Sequence, residues 1–332
     1  IIDSLLAQLL HCKIRILILK KKSMKSIEDH FNQSSKNLRV SNNMTQENFT
    51  LEINQFTFNF PLKSKADNTN LGYMQPKDWF INEHQNNNLH EPGLVTLLLA
   101  LAKKFQDTKI RFWDIGALYG YFSILAIKIF DDVEVFSIEA NPFSCKYIES
   151  INQDSELARH EIINTFIDKK STKKQKKYIY GYRFLNKYEY NQILLKNVIK
   201  NFVNLFKRRY HVVKPEKVFI GNSSLGDLVS NNNQFIDILK IDTEGYQAHF
   251  LPPVSQTLID NKSIILLEFD EAKQLERFNS SNKELCAPFL KSGYKLYWLD
   301  HRVKGASLEV KSKVDASMEI NSLALLIPSE FT

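Results

Sequence analysis

KIRFWDIGALYGYFSILAIKIF, residues 109–130, is a stretch in which a strand, a glycine turn and a helix follow one another. Apolar side chains run up to Asp114 and resume at helical spacing after Gly120, which is typical of a strand followed by a helix. Gly116 and Gly120 let the chain turn sharply and let a ligand approach the backbone without a Cβ in the way. Asp114 closes the strand at the edge where open α/β sheets bind ligands. The stretch therefore predicts a ligand-binding turn.

A second strand supports this prediction. Residues 133–138 are mostly apolar and end in Glu139, and Asn141 followed by Pro142 is typical of the start of a helix. Glu139 follows Asp114 by 25 residues. A nucleoside-binding α/β unit places at about this spacing the carboxylate that accepts the ribose hydroxyls. The glycine turn and the second-strand acid together are more specific than either alone.

Acidic residues also follow the later strands. A third strand over residues 161–166 has Asp168 just beyond its end. The apolar run 235–241, interrupted by Asp237 and Lys240, predicts a buried strand that ends in Asp242, and the strand 264–267 ends in Glu268. Strands that alternate with helices predict an α/β fold with a doubly wound, mostly parallel sheet.

Composition is that of a globular protein with one unusual segment. Hydrophobic residues make up 43% of the 332 residues and charged residues 24%, which is typical of soluble domains. The formal net charge is +7, and residues 169–217 alone hold fifteen Lys or Arg against two acids. Three scattered cysteines do not predict a disulfide framework or a thiolate metal site, and they favour a reducing, cytoplasmic setting.

Three regions follow from the patterning. Residues 1–55 are expected to be an N-terminal extension and linker, because residues 23–55 are polar and show no sustained period. Residues 56–108 supply a lead-in strand, with alternation over 56–60, and an apolar helix over 94–102 that begins near Pro92 and covers the ligand. Residues 109–332 form the main α/β domain.

Two basic or amphipathic segments lie outside the predicted core. Charged and polar residues interrupt the apolar stretch 1–19, and three lysines follow it, so residues 1–22 either rest on an anionic membrane surface or pack as an ordinary helix. Residues 169–217 interleave basic residues with tyrosines. This insertion either grips an anionic polymer or forms a solvated surface with a small apolar face.

The turn disfavours a dinucleotide. Leu118 stands where the GxGxxG pattern requires its second glycine, so a pyrophosphate would be crowded and an NAD-linked oxidoreductase is disfavoured. A nucleoside without a pyrophosphate, such as S-adenosylmethionine, fits better. Its positive charges suit the strand-end acids, and Tyr119, Tyr121 and Phe122 are expected to add cation–π contact.

An ordered set of motifs runs along the chain. They are the upstream His90-Glu91-Pro92, DIGALYGYFS (114–123), IEANP (138–142), SLGDL (224–228), LKIDTEG (239–245), LLEF (266–269) and GYKLYWLD (293–300). Together these motifs resemble the FkbM-type methyltransferase family. Leu118 stands in place of the usual Asn of that family, and Ala140 stands where Pro is common.

The resemblance implies a class I methyltransferase-like, Rossmann-like sheet of seven strands with the last one antiparallel. It also implies transfer of a methyl group from S-adenosylmethionine to a hydroxyl oxygen of a glycan, glycolipid or secondary metabolite. The residues expected to contact the cofactor are Asp114, Gly116, Ala117, Tyr119, Gly120, Tyr121, Phe122, Glu139, Ala140, Asn141, Asp168 and Asp242.

A hydroxyl acceptor needs a group that takes its proton. We expect Asp242 to do so, with Glu244, Glu91 and Glu268 positioning the acceptor or assisting. The alternatives are that Asp242 only contacts the cofactor and that Glu244 caps the next helix. His90 is interpreted as a turn residue with its hydrogen bonds satisfied. Asp242 and Glu244 are a possible Mg²⁺ pair, but no accompanying His or Asp cluster supports it, so no metal is predicted.

Two other functions stay open at this point. The fold is consistent with a non-catalytic module that binds an anionic polymer through the basic insertion, and a steep salt dependence of binding would distinguish it. An N- or carboxyl-methyltransferase keeps the same cofactor and changes the acceptor. The expected partner is a small molecule or glycan, and no specific nucleic acid is expected.

Overall fold

A computed structural model describes residues 25–62, 76–84, 88–152, 159–180, 183–185, 187–204, 216–231, 235–315, 318 and 322–332. The segment 1–22, which was predicted to rest on a membrane or to pack as a helix, lies outside the described residues. Within them, every helix is too short or too polar to cross a bilayer.

The described residues form helices and strands that mostly alternate along the chain. The first half contains α1 (Ile27–Lys36), β1 (Val40–Met44), β2 (Asn48–Ile53), β3 (Phe56–Pro61), α2 (Pro76–Glu83), α3 (Pro92–Lys104), β4 (Ile110–Ile115), α4 (Tyr121–Ile129), β5 (Val133–Glu139), α5 (Pro142–Ile151), β6 (His160–Asn164) and β7 (Phe166–Asp168). The second half contains β8 (Thr172–Tyr180), β9 (Arg183–Leu185), α6 (Lys187–Asn204), β10 (Glu216–Ser224), α7 (Leu225–Asn231), β11 (Ile238–Ile241), α8 (Gln247–Asp260), β12 (Ile264–Phe269), α9 (Ala272–Glu276), α10 (Asn282–Lys291), β13 (Tyr294–Leu299), β14 (Glu309–Lys311), β15 (Ser322–Pro328) and a 3₁₀ turn (Ser329–Phe331).

The main sheet has eight strands in the order β14-β13-β15-β12-β11-β4-β5-β6. Strands β4, β5, β6, β11 and β12 pair in parallel, and β15 lies antiparallel between β12 and β13. This confirms the doubly wound, mostly parallel sheet with its last strand antiparallel. The short antiparallel edge strand β14 adds an eighth strand to the seven that were predicted.

Helices cover both faces of this sheet. Alternate residues of β4 point to opposite layers: Phe112 packs in the layer that holds α3 and α4, and Trp113 packs in the layer that holds α8 and α10. Every residue of β11 and β12 is buried, as expected for parallel strands covered on both faces. The carboxyl ends of β4, β5, β11 and β12 therefore meet at one edge of the sheet.

The N-terminal region is not the linker that its composition predicted. Residues 27–36 form α1, and β1, β2 and β3 form a three-stranded antiparallel sheet. Phe49 and Leu51 of β2 and Phe60 of β3 are fully buried and join the core that holds α3 and α4. The prediction failed because each element is short and its outward positions carry Ser, Asn and Thr, so the buried alternation is visible only in the tertiary structure.

The basic insertion contributes to a second sheet, in the order β7-β10-β8-β9. The chain leaves the main sheet at Thr165, whose Oγ1 donates to the carbonyl of Gly221 at 3.1 Å. The lysine-rich β8 then pairs antiparallel with β10. The insertion also contains the helix α6.

Candidate active site

Gly116 forms the contact between the ends of β4 and β11. Its φ is +82°, and a Cβ at this position would lie 1.8 Å from the carbonyl oxygen of Asp242. Its N–H donates to the carbonyl of Ile138 at 3.0 Å. Glycine is therefore required here both by the backbone conformation and by the lack of space. This contact holds the turn, the Glu139 strand and Asp242 together.

Leu118 continues the turn in an unusual conformation. Its φ is +48°, in the left-handed region that branched side chains disfavour. Its N–H donates to Glu139 Oε2 at 2.9 Å. Gly120, with φ +72°, then precedes the first turn of α4. The hydrogen bond to Glu139 is a direct stabilising contact for the strained residue.

Glu139 is held at the end of β5 by backbone donors on both sides. Besides the bond from Leu118, Oε1 accepts from the N–H of Asn141 at 2.7 Å. Burial raises the pKa of Glu139 to about 7, against the lowering effect of these two N–H groups. Asn141 caps α5 through its side chain, and the Asn164 amide donates to the carbonyl of Ala140 at 3.2 Å. Each oxygen of the carboxylate keeps a lone pair for a further donor.

The three aromatic residues of the turn are buried. Tyr119, Tyr121 and Phe122 are at most 5% exposed and pack in the core beneath the turn. The Phe122 ring faces Lys240, whose Nζ lies 5.0 Å from its centroid. Cation–π contact between these rings and a ligand remains a prediction, since a protein cation already faces one of them.

Lys240 bridges two strand-end acids. It is 3% exposed, and its Nζ lies 3.4 Å from Asp114 Oδ1 and 3.5 Å from Asp242 Oδ2. Burial lowers the pKa of Lys240, but Asp114 and Asp242 outweigh this effect, and its pKa is raised overall. The lysine therefore stays charged and pairs with the buried Asp114.

Asp114 also ends a chain of buried hydroxyl groups. Ser123 Oγ donates to Asp114 Oδ2 at 2.8 Å, and Ser137 Oγ donates to Ser123 Oγ at 2.6 Å. His160 Nε2 lies 2.6 Å from Ser137 Oγ. Because the Ser137 hydroxyl already donates its proton to Ser123, the Nε2–H of His160 is the donor in this contact. Burial lowers the pKa of His160 to about 4, which keeps the ring neutral. The chain links α4 to three neighbouring strands.

A second group of ionisable side chains surrounds Glu268. Arg302 Nη2 lies 3.1 Å from Glu268 Oε1, and His301 Nε2 lies 3.6 Å from that oxygen and 3.6 Å from Glu91 Oε1. Burial and the neighbouring Glu268 raise the pKa of Asp242 well above its ordinary value, while Lys240 offsets part of the effect. The pKa of Glu268 is lowered despite its burial, because the neighbouring His301, Asp242 and Lys240 stabilise its charged form.

Glu91 reaches this group because α3 docks against the end of β13. The N–H of Gly93 donates to the carbonyl of His301 at 2.8 Å, and a Cβ on Gly93 would lie 2.8 Å from His301 Cα. Glu91 itself has φ +46° and is 6% exposed. His90 has partners on both ring nitrogens, Glu83 at 2.8 Å and Glu91 at 3.4 Å. His90 is thus a satisfied turn residue.

The structure separates two predicted site residues from this group. Glu244 is exposed and accepts a hydrogen bond from Gln274 at 2.9 Å. It does not cap α8, whose N-cap residue is Tyr246 and makes no side-chain cap. Asp168 lies in the second sheet, where it accepts from Asn222 at 2.7 Å and contacts His249 at 2.9 Å. The catalytic role of Glu244 and the cofactor contact of Asp168 stay predictions without a contact to support them.

Sequence reasoning missed several members of the site. His301 and Arg302 follow the matching stretch 293–300, outside any motif, and carry no local pattern. Lys240 was visible only as a charge inside an apolar strand, which is the one signal that a buried ion pair leaves in a sequence. Ser123 and Ser137 are likewise polar positions inside apolar elements.

The strand order defines an α/β protein with a doubly wound, Rossmann-like sheet. No protein-family model matches the chain, and no curated protein does. Among solved structures, it is similar to a precorrin-6y C5,15-methyltransferase from Geobacter metallireducens, at 13% identity over 71% of this chain and 88% of that one, with a TM-score of 0.36.

Two further solved structures are similar at the same level. One is the methyltransferase FkbM from Methylobacillus flagellatus, at 8% identity over 74% of this chain and 57% of that one, with a TM-score of 0.38. The other is the fibrillarin pre-rRNA processing protein of Methanococcus jannaschii, at 11% identity over 87% of this chain and 97% of that one, with a TM-score of 0.34. The fold class rests on the sheet order of this chain itself.

Proposed function

We propose that this protein is a methyltransferase of the FkbM type that uses S-adenosylmethionine to methylate a hydroxyl group of a small-molecule or glycan acceptor. The observation that carries the proposal is the meeting of the Gly116 turn, Glu139 and the Asp242–Glu268 group at one edge of the sheet. In this fold class, ligands bind outside the carboxyl ends of the strands.

The residues around the turn fit a nucleoside cofactor. Gly116 and Gly120 leave the backbone without side chains, and Glu139 keeps a free lone pair on each oxygen for the two ribose hydroxyls. Leu118 fills the space that a pyrophosphate would need. S-adenosylmethionine supplies an activated methyl group when bound, and Asp114, Gly116, Glu139 and Asp242 are the residues that would hold it.

Asp242 is the residue that we propose takes the acceptor proton. It is half-buried, it lies beside the glycine turn, and its pKa is raised by burial and by Glu268. A carboxylate with a raised pKa is a stronger base than an exposed aspartate. An acceptor oxygen held about 3–3.5 Å from the methyl carbon, in line with the bond that breaks, would pass its proton to Asp242.

Isothermal titration calorimetry with S-adenosylmethionine tests the cofactor part of the proposal. We expect one site per chain and at least a tenfold loss of affinity in Glu139→Gln. Glu134→Gln is the matched control, because Glu134 lies on the same strand and pairs with Lys109 at 2.7 Å. Absence of binding to the intact, folded protein would overturn the proposal.

The acceptor is tested separately. Incubation with labelled S-adenosylmethionine and panels of sugars, glycolipids, amines and carboxylic acids measures which class takes up label. We expect label on hydroxyl acceptors. Label on amines or carboxylates alone would keep the cofactor and overturn O-methylation.

A further inference from the structure

Glu91, Glu268 and His301 converge from three distant parts of the chain. Glu91 precedes α3, Glu268 lies near the end of β12, and His301 follows β13. Their exposed fractions are 6%, 8% and 0%. One potential ligand atom from each lies within 4.8 Å of the others.

The distances within this group are long for hydrogen bonds and suitable for a shared ion. His301 Nε2 lies 3.6 Å from Glu91 Oε1 and 3.6 Å from Glu268 Oε1. An N–H···O hydrogen bond is about 2.7–3.2 Å long. Ligand atoms about 2.1 Å from a tetrahedral metal ion stand about 3.4 Å apart. The observed spacing therefore suits an ion between the three atoms.

The His301 ring supports this interpretation independently. It is fully buried, and its Nδ1 has no hydrogen-bond partner among the described residues. The donor to Nε2 is Arg302 Nε at 3.5 Å, a contact in which Nε2 is the acceptor. His301 Nε2 lies between the two carboxylates, and a metal ion bound there would take the place of a proton on this nitrogen. Arg302 Nη2 also lies 3.1 Å from Glu268 Oε1. Carboxylates that bind a metal ion are commonly oriented by a neighbouring hydrogen-bond donor of this kind.

We propose that Glu91, Glu268 and His301 bind one divalent transition-metal ion, Mn²⁺ or Zn²⁺. One imidazole nitrogen with two carboxylate oxygens favours such ions over Mg²⁺, which prefers oxygen ligands and water. Three protein ligands leave at least one position open, as in catalytic metal sites. The sequence predicted no metal, because Glu91 and His301 are 210 residues apart and only the docking of α3 on β13 joins them.

The site's role rests on the proposed function. Asp242 lies beside Glu268, so an acceptor hydroxyl at the open metal position would be near the predicted base. A bound cation lowers the pKa of a hydroxyl that it ligates and so eases loss of the proton to Asp242. The acceptor would then be a hydroxyl compound that ligates the ion.

Metal binding is tested on the full chain without cofactor. Protein stripped with a chelator is titrated with MnCl₂ or ZnCl₂, and bound metal is measured by mass spectrometry after desalting. We expect one equivalent, with more than a tenfold loss of affinity in Glu268→Gln and His301→Gln. Glu309→Gln is the control, because Glu309 is an exposed acid on β14 that pairs with Lys311 at 2.9 Å. Less than stoichiometric metal on the intact protein, or unchanged affinity in the two ligand variants, would overturn the site.

A spectroscopic measurement avoids dependence on variants that fail to fold. Mn²⁺ bound to the intact protein should show electron–nuclear coupling to one imidazole nitrogen, and ¹⁵N-histidine labelling should change that signal. Absence of nitrogen coupling would overturn the assignment of His301.

The two proposals fail separately. Glu139→Gln should lose S-adenosylmethionine and keep the metal, and His301→Gln should lose the metal and keep S-adenosylmethionine. Cofactor binding without metal binding would contradict only the metal-site proposal. Metal binding without cofactor binding would contradict the proposed function.

Discussion

Individual residues at the site have backbone conformations that their side chains disfavour. Glu91, Leu118 and Glu244 have φ values of +46°, +48° and +54°. Such conformations cost about 1–3 kcal/mol each and persist only where surrounding contacts hold them. Here they occur in the turns after β4 and β11 and before α3, the three turns that meet at the carboxyl edge of the sheet.

Gly116→Ala should destabilise the protein by about 3 kcal/mol, from a left-handed φ together with overpacking against the Asp242 carbonyl. Urea unfolding measures the effect. Gly305→Ala is the matched control, because Gly305 has φ +76° with nothing within 4 Å of its Cβ position, and it should show the conformational cost alone. Equal losses in the two variants would show that the Asp242 contact is unimportant.

Lys240→Met should cost about 3–5 kcal/mol, because it leaves the buried Asp114 charge without its partner. Adding Asp114→Asn removes that charge while the hydrogen bond from Ser123 can persist. The double variant should therefore be more stable than Lys240→Met alone in denaturant titrations. A double variant whose loss equals the sum of the two single losses would contradict the pairing.

At the scale of elements, the hydroxyl chain from Asp114 to His160 joins α4 to β4, β5 and β6 and makes their packing sensitive to acid. The pKa of His160 is lowered by burial from 6.5 to about 4. The unfolded chain therefore binds a proton between these values and the folded chain does not. This contribution to stability is complete above pH 6.5 and is lost as the pH falls towards 4, by about 3 kcal/mol in total.

His160→Gln should remove this part of the pH dependence. Unfolding free energies at pH 7 and pH 4.5 give the difference between the two conditions, which should be smaller in the variant than in the parent protein. His84→Gln is a useful comparison, because burial also lowers the pKa of His84 to about 4 at a separate place in the core. An identical pH dependence in parent and His160→Gln would contradict a neutral buried ring.

The contact between α3 and β13 is the second feature at this scale. Gly93→Ala should push the start of α3 away from His301, since the added Cβ would lie 2.8 Å from His301 Cα. We expect a loss of about 1–3 kcal/mol in stability and weaker metal binding. Gly226→Ala, near the start of α7 with 3.9 Å to its nearest neighbour, should be neutral or stabilising in the same assays.

At the scale of the molecule, the N-terminal sheet and the main sheet share a core. The ring centroid of Phe60 in β3 lies 4.6 Å from that of Phe80 and 6.0 Å from that of Tyr121. Because Tyr121 begins α4, the lead-in segment packs directly on the helix that follows the glycine turn. Phe60→Ala should therefore cost about 3–5 kcal/mol. Tryptophan fluorescence and circular dichroism should report one coincident unfolding transition.

Phe219→Ala is the control for Phe60→Ala, because Phe219 is 68% exposed, and its substitution should change stability by less than about 0.5 kcal/mol. Two separate transitions in Phe60→Ala would mean that the N-terminal sheet unfolds independently of the main sheet.

Features of the fold that depend on local interactions could be predicted from the sequence, and those that depend on long-range contacts could not. The β4 turn and the strand-end acids Asp114, Glu139, Asp242 and Glu268 were predicted, because periodicity and turn residues are local. The antiparallel last strand was expected only from the family resemblance. The helix and strands over residues 27–53 were missed, because their buried positions are few and scattered. Asp168 was placed beyond a third strand of the main sheet, but the chain crosses to a second sheet at Thr165.

By itself, the sequence determined the fold class and the edge of the sheet at which the site lies, since parallel strands bring their carboxyl ends together whatever their side chains do next. Only the tertiary structure decided which side chains meet there. Gly93 allows α3 to pack on the end of β13 and so brings Glu91 to His301. Glu244 has a left-handed backbone conformation, and its side chain accepts a hydrogen bond from Gln274 instead of joining the site. Contacts between residues so far apart depend on strand order and helix docking, which leave no period in the sequence.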